Sequence, residues 1–158
     1  MLVTLVGCVA LGTPPSWSAA SEGAADIDLE RLPEQSGISG GLLVQVGCRD
    51  AELLVAWGQQ TNVLAHGLVS DRERLRETRT RIQAEGLYGR VTAASWSGRW
   101  LPYADNMVNL LLVSAPDHGL PPDEIDRVLA PGGVAWLPGS GALTRYDKPW
   151  PDDMDQWT

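Results

Sequence analysis

The sequence predicts an α/β fold built around a doubly wound, mostly parallel sheet. Short apolar runs alternate with helical patterns from Gly40 onward, which is the rhythm of βαβ units. Residues 107–113 are almost continuously apolar, as in a central parallel strand buried on both faces. A turn at residues 47–50 directly follows the first apolar run, as expected where a strand passes into a helix.

The elements follow in order along the chain. The predicted strands are residues 42–46, 62–68, 91–94, 107–113 and 134–137, and the predicted helices are 51–57, 70–85 and 121–129. Ser70 is expected to cap the second helix, with Glu73 completing a capping box, and Gly86 is expected to end it. Leu75 and Ile82 on this helix are expected to face the sheet.

The pattern outside the sheet predicts four regions. Residues 1–20 resemble a signal peptide, because an apolar run precedes a stretch of small residues. Residues 21–39 form a linker, 40–138 the domain, and 139–158 an acidic tail that contains Trp and Pro. Export to the periplasm is favoured over a cytoplasmic location, and the alternative is a frayed apolar N-terminus. The sequence LVGC at residues 5–8 also fits a lipobox, so lipid anchoring stays open. The apolar run is too short for a transmembrane span.

Composition excludes some functions. The chain has 158 residues and a net charge of −8, so we expect no nucleic-acid partner. Its two cysteines, Cys8 and Cys48, form neither a disulfide framework nor a zinc spacing, and no metal site is predicted. His66 and His118 are isolated and are expected to be structural.

Four motifs then occur in order: VGC at residues 46–48, GLVSD at 67–71, LPYADN at 101–106 and RVLAPGG at 127–133. This series resembles class I S-adenosylmethionine (SAM)-dependent methyltransferases of the type 11 kind, over residues 40–137. The resemblance implies a Rossmann-like sheet of the methyltransferase type, in which the last two strands of the family are not evident here. No regular element is predicted after Pro138.

Further segments narrow the resemblance. GLYG at residues 86–89, LPYADN, and KPWP at 148–151 are similar to the methyltransferase-like N-terminal regions of bacterial proteins that carry a PQQ-binding-like β-propeller. The resemblance implies a propeller domain as a partner in longer relatives.

The resemblance places a cofactor turn after the first strand. Gly47 is the first glycine of the family's GxGxG turn, and Cys48 follows it. Arg49 and Ala51 occupy the other two glycine positions, where a side chain can collide with a ligand. The family's acid two residues before the first glycine corresponds to Gln45.

Two further cofactor positions lie after the second and third strands. The acid that accepts hydrogen bonds from the ribose corresponds to Val69. Ser70 and Asp71 could substitute for it, although Ser70 is assigned to capping. The adenine position corresponds to Ser97, next to Trp96, which either stacks on adenine or packs in the core.

The sequence therefore predicts a SAM-dependent methyltransferase-like domain with a degraded cofactor site, where SAM binding is weak or lost. Its methyl acceptor would be a small molecule or a protein. The alternative is a non-catalytic structural or docking domain of an exported multidomain protein. No catalytic base is identified: His118 lies in a plausible region but is expected to be a loop histidine, and Cys48 is expected to be a small buried residue. A dinucleotide-binding oxidoreductase is disfavoured because its further glycines and its acid are missing.

Overall fold

The protein is described by a computed structural model over residues 28–60, 62–115 and 118–151. The described residues form one six-stranded sheet in the order β3-β2-β1-β4-β5-β6. The strands are β1 (Gly41–Val46), β2 (Val63–Val69), β3 (Val91–Ser95), β4 (Val108–Val113), β5 (Leu129–Pro138) and β6 (Leu143–Asp147). β1 to β5 are mutually parallel, and β6 is antiparallel to β5. The predicted α/β, doubly wound, mostly parallel sheet is confirmed.

Three helices cover one face of the sheet. They are α1 (Leu32–Gln35), α2 (Glu52–Gly58) and α3 (Arg72–Ala84). α1 falls within the segment that the sequence assigned to a linker, and its Leu32 is fully buried. Leu75 and Ile82 of α3 are buried against the sheet as predicted. This face holds the larger of the two apolar clusters.

The second face is covered by α4 (Pro122–Val128) and by an irregular connection. Residues 96–107 join the carboxyl end of β3 to the start of β4 without a helix. Within this connection, Leu101 is 4% exposed in the second apolar cluster. The Tyr103 hydroxyl lies 2.9 Å from Nδ1 of His66 on β2. The connection therefore packs across the sheet and takes the place of a crossover helix.

The PGG segment is a distortion inside β5 and not a turn before it. β4 pairs with β5 through Val108 with Leu129 and then Leu110 with Val134, so the register shifts between these pairs. Gly133 is enclosed by backbone, because a Cβ there would lie 2.8 Å from the carbonyl oxygen of Ala130. Since a side chain does not fit, the glycine allows the strand to bulge.

Two expectations from the sequence are wrong. The N-cap of α3 is Asp71, whose carboxylate accepts a hydrogen bond from the Arg74 N–H at 2.8 Å, so Ser70 is not the cap. A carboxylate is favoured at this end by the helix dipole. The chain also continues regularly beyond Pro138, because Leu143–Asp147 of the assigned tail forms β6.

Several regions predicted from the sequence fall outside the residues that the structure describes. The signal-like residues 1–20, the lipobox with Cys8, the early linker and residues 152–158 lie outside the described residues. Among the helices that are described, none is both long and apolar enough to cross a membrane. The domain boundaries and the location of the protein stay predictions.

Candidate functional site

The fold brings the five predicted cofactor residues to one edge of the sheet. Gly47 and Cys48 follow β1, Ser70 follows β2, and Trp96 and Ser97 follow β3. These three strands are neighbours, spaced about 4.8 Å apart. Ligands of doubly wound sheets bind at this carboxyl edge, so it is the candidate cofactor crevice.

The turn after β1 requires glycine at its first position. Gly47 has a φ of 77°, a conformation that costs other residues about 1–2 kcal/mol. A Cβ on Gly47 would also lie 2.8 Å from the Cβ of Ala115, just beyond β4. The chain after β4 is held close because the Ser114 N–H donates to the carbonyl of Val46 at 2.8 Å. The turn thus packs closely against the chain that follows β4, and glycine is required for that contact.

Cys48 contributes packing at this turn. Its side chain is 3% exposed, and its Sγ lies 3.6 Å from the Cβ position of Gly67. Burial raises the pKa of the Cys48 thiol to about 12, and the Asp50 carboxylate adds to the effect. Because the thiolate is the nucleophilic form, Cys48 is unsuited to nucleophilic catalysis at neutral pH.

A buried amide lies beneath the same turn. Gln45 is 7% exposed, and its Nε2 donates to the Ser114 hydroxyl at 3.2 Å. Its Oε1 is buried and has no hydrogen-bond partner among the described residues. The family's acid position is therefore occupied by a neutral group with one acceptor unused.

The end of β2 offers a hydroxyl and no carboxylate in the position of the ribose acid. Val69 is 1% exposed in the apolar cluster beneath the helices, so it presents no polar group. Asp71 is engaged in capping α3. Ser70 is exposed, and because it does not cap the helix, its hydroxyl is available at the edge.

Trp96 closes the loop after β3. Its N–H donates to the carbonyl of Val69 at 2.9 Å, and its indole Nε1 donates to the carbonyl of Trp100 at 2.7 Å. The ring is half-buried and packs against the second apolar cluster. Ser97, at the adenine position, is exposed. Trp96 therefore holds the loop, and Ser97 lies exposed at the same edge.

The two histidines play different local roles. His118, beyond β4, accepts the Leu120 N–H on Nδ1 at 3.0 Å, so the neutral ring carries its proton on Nε2. His66 lies in the middle of β2 and contacts Tyr103 edge to face. Burial lowers the pKa of both rings, so both are neutral at pH 7. No group of three or more potential metal ligands is found in the described ranges.

These residues fit SAM in part. The turn after β1 keeps the first glycine of the family pattern, and the exposed Ser70 and Ser97 offer hydroxyls. The crevice lacks the acid at Val69 and has an exposed Arg49 in the second glycine position. The cofactor roles of these positions stay predictions from the sequence, and the one assignment that the structure corrects is the capping role of Ser70, which belongs to Asp71.

Comparison with known proteins agrees with this geometry. No family model matches the chain. The chain is 30% identical over 110 residues to methyltransferase GfsG of Streptomyces halstedii, and the match covers 66% of this chain and 40% of GfsG. The chain thus spans about two fifths of the length of this curated relative.

Solved structures show the fold. A SAM-dependent methyltransferase from Aquifex aeolicus superposes with a TM-score of 0.59 at 17% identity, covering 70% of this chain and 62% of that one. The [4+2]-cyclase SpnF superposes with a TM-score of 0.56 at 24% identity, covering 68% and 43%.

The chain has the class I SAM-dependent methyltransferase fold, with a methyltransferase among its relatives. SpnF bears the name of a cyclase, so the fold alone does not define the reaction.

Proposed function

We propose that this chain is a SAM-dependent methyltransferase-type domain that holds its cofactor weakly, through backbone and neutral hydroxyl groups. The observation that carries the proposal is the end of β2. There the buried Val69 stands at the ribose acid position, while the exposed Ser70 is left free of helix capping. On this proposal, neutral groups at the crevice take the place of the charged contacts of the family pattern.

The exchange sets the expected affinity. A hydrogen bond to a charged group contributes about 1.5–3 kcal/mol. Val69 and Gln45 replace two acids of the family pattern, so about 3–6 kcal/mol is lost, or roughly 150-fold to 20,000-fold in affinity. Hydroxyls at Ser70 and Ser97 offset part of this loss, because each neutral hydrogen bond contributes about 1 kcal/mol.

Catalysis would rest on positioning. SAM supplies an activated methyl group when bound, and the protein has mainly to align the acceptor with it. His118, beyond β4 at the same edge, would donate a hydrogen bond from Nε2 and would not act as a base, since its Nδ1 is occupied by the Leu120 N–H. The methyl acceptor would be a small molecule or a protein.

A second function is favoured by one specific observation. Arg49 projects from the turn where the family places a glycine, and it is exposed. If that side chain blocks the cofactor, the domain serves as a structural or docking module. Export of the chain belongs to this second proposal, because SAM is made and used in the cytosol and an exported domain would meet little of it. A β-propeller partner in longer relatives belongs to it as well, as the domain that such a module would dock.

Titration calorimetry of the full chain with SAM and with S-adenosylhomocysteine separates the two. We expect wild-type binding in the high micromolar to millimolar range, and at least 10-fold tighter binding by Ser70→Asp, because a carboxylate is then supplied at the exposed position next to the buried Val69. Ser70→Asn is the matched control, since it has the same shape without the charge, and it should gain less.

A folded wild type and a folded Ser70→Asp that both fail to bind millimolar ligand would overturn the cofactor proposal in favour of the docking module. Far-ultraviolet circular dichroism establishes that each variant is folded. If Arg49→Gly alone then restores binding, the arginine is the obstruction.

A further inference from the structure

The loop at residues 97–100 is short, exposed and fixed at both ends. It comprises Ser97 to Trp100 at the carboxyl edge, and we name it the adenine-side loop after the position that Ser97 occupies. Its first end is fixed by Trp96, through the two hydrogen bonds described above. Its second end is Leu101, which is 4% exposed.

A buried carboxylate holds that second end. Glu124 of α4 is 0% exposed, and its Oε1 accepts the Leu101 N–H at 2.6 Å. Burial of a carboxylate is costly unless it is paired. Arg127, one helical turn later, supplies the pair through two hydrogen bonds of 2.7 and 2.8 Å. The hydrogen bond from Arg127 lowers the pKa of Glu124, so the carboxylate stays ionised.

Arg127 also binds the chain that follows the loop. Its guanidinium donates to the carbonyls of Leu101 and Tyr103 at 3.3 and 2.9 Å, and to the Asp105 carboxylate at 2.6 Å. The pair therefore engages both backbone groups of Leu101. The LPYADN and RVLAPGG motifs, which are more than twenty residues apart, are joined by this one cluster.

Stability alone does not account for the cluster. Buried ion pairs can often be replaced by well-packed apolar residues without loss of stability. An apolar pair, however, would leave the backbone N–H of Leu101 without its acceptor and its position less defined. What this pair adds is a fixed location for one backbone residue.

We propose that Glu124 and Arg127 are positioning residues for the cofactor: through Leu101 they set where the adenine-side loop lies. The inference rests on the proposed SAM function. On this proposal, the arginine of the RVLAPGG motif acts on the crevice indirectly, through its hydrogen bond to Leu101 and not by contact with the cofactor.

The first measurement needs no ligand. Hydrogen–deuterium exchange of the full chain reports on amides 97–101 in wild type, Glu124→Gln and Arg127→Lys. We expect exchange at these amides to rise at least 10-fold in both variants, while β1 and β2 amides stay unchanged. Arg145→Lys is the matched control, because Arg145 forms a surface ion pair with Asp147 on β6 and should leave the loop unchanged.

The second measurement is calorimetric titration of the same proteins with S-adenosylhomocysteine. We expect affinity to fall at least 10-fold in Glu124→Gln and Arg127→Lys and to stay at the wild-type value in Arg145→Lys. Should either variant fail to fold, Asp105→Asn removes only an exposed partner of Arg127, and a smaller loss of affinity with faster loop exchange is then expected.

The two proposals fail differently. If wild type does not bind, the cofactor function itself is overturned, and the positioning role falls with it. If wild type binds and the variants bind equally well, the positioning role is overturned while the cofactor function stands. A lower melting temperature with unchanged loop exchange and affinity would show that the cluster is structural only.

Discussion

Two separate features require glycine at Gly47, namely its backbone conformation and the close contact with Ala115, and their energetic costs can be measured separately. Its φ is 77°, and a Cβ would meet the Cβ of Ala115 at 2.8 Å. Gly86 has a similar φ of 68° with nothing within 4 Å of a Cβ. Gly86→Ala should therefore lower the free energy of unfolding by about 1–2 kcal/mol, the cost of the left-handed backbone.

Gly47→Ala should lower the free energy of unfolding by roughly 2–5 kcal/mol, because overpacking adds about 1–3 kcal/mol to the backbone cost of about 1–2 kcal/mol. Urea denaturation of both variants gives the comparison. Equal losses would show that the chain after β4 can move away, and that the close approach at this turn is not a constraint.

Individual positions could be predicted from the sequence where the signal was local. Cys48 was expected to be a small buried residue, and its side chain is buried in the turn. The role of Glu124 could not be foreseen, since its partner Leu101 lies 23 residues away and nothing in the sequence marks an acid in the first turn of a helix as buried. Acids there are ordinarily solvated and favoured by the dipole.

The start of α3 gives a test of the capping assignment. Asp71 provides the carboxylate that accepts the Arg74 N–H, so Asp71→Ala should lower the free energy of unfolding by about 1 kcal/mol. Ser70→Ala should change it by less than about 0.5 kcal/mol, as for an ordinary surface substitution. Thermal or urea unfolding decides, and a larger loss at Ser70 would restore the original assignment.

The sequence did not predict β6, because its residues show no strong periodicity. Residues 139–142 form the turn of the β5–β6 hairpin, and two glycines within a short connection are a hairpin signal. The strand is partly or fully exposed along its length, so it lacks the alternation of apolar and polar residues that identifies half-buried strands. The bulge in β5 was missed for a related reason, because Pro and Gly resembled a turn.

The whole molecule should lose stability in acid in two steps. Burial lowers the pKa of His66 and His118 from 6.5, so the unfolded chain binds these protons first as the pH falls. Their contribution is fully present above pH 6.5 and is lost as the pH falls through the folded values. Glu124, with its pKa lowered from 4.5, adds a second loss at lower pH.

Urea unfolding at pH 7.5, 5.5 and 4 measures these steps. His66→Gln and His118→Gln should each reduce the loss between pH 7.5 and 5.5, because each removes one proton that only the unfolded chain binds. A slope that neither variant changes would mean that other groups are responsible.

For the complete fold, the order of the motifs along the chain predicted the architecture better than any single motif did. The five parallel strands and three of the four helices were predicted from apolar runs and turns, and all lie within two residues of their expected bounds except β5, which begins five residues earlier than predicted. The cover of the second face could not be predicted, because residues 96–107 pack there through contacts with distant residues such as His66 and Arg127.

The position of β1 between β2 and β4 has a kinetic consequence. β1 pairs with β2, and β2 with β3, across single helical crossovers, so these three strands can assemble early. β4 pairs with β1 only after the whole β2–β3 segment intervenes; the Leu42 N–H, for example, donates to the Asn109 side chain 67 residues away. Since pairing across long loops is slow, the last major event of folding is expected to be the docking of β4 and β5. Until then β1 exposes an apolar edge, which makes the half-formed sheet the species most prone to aggregate.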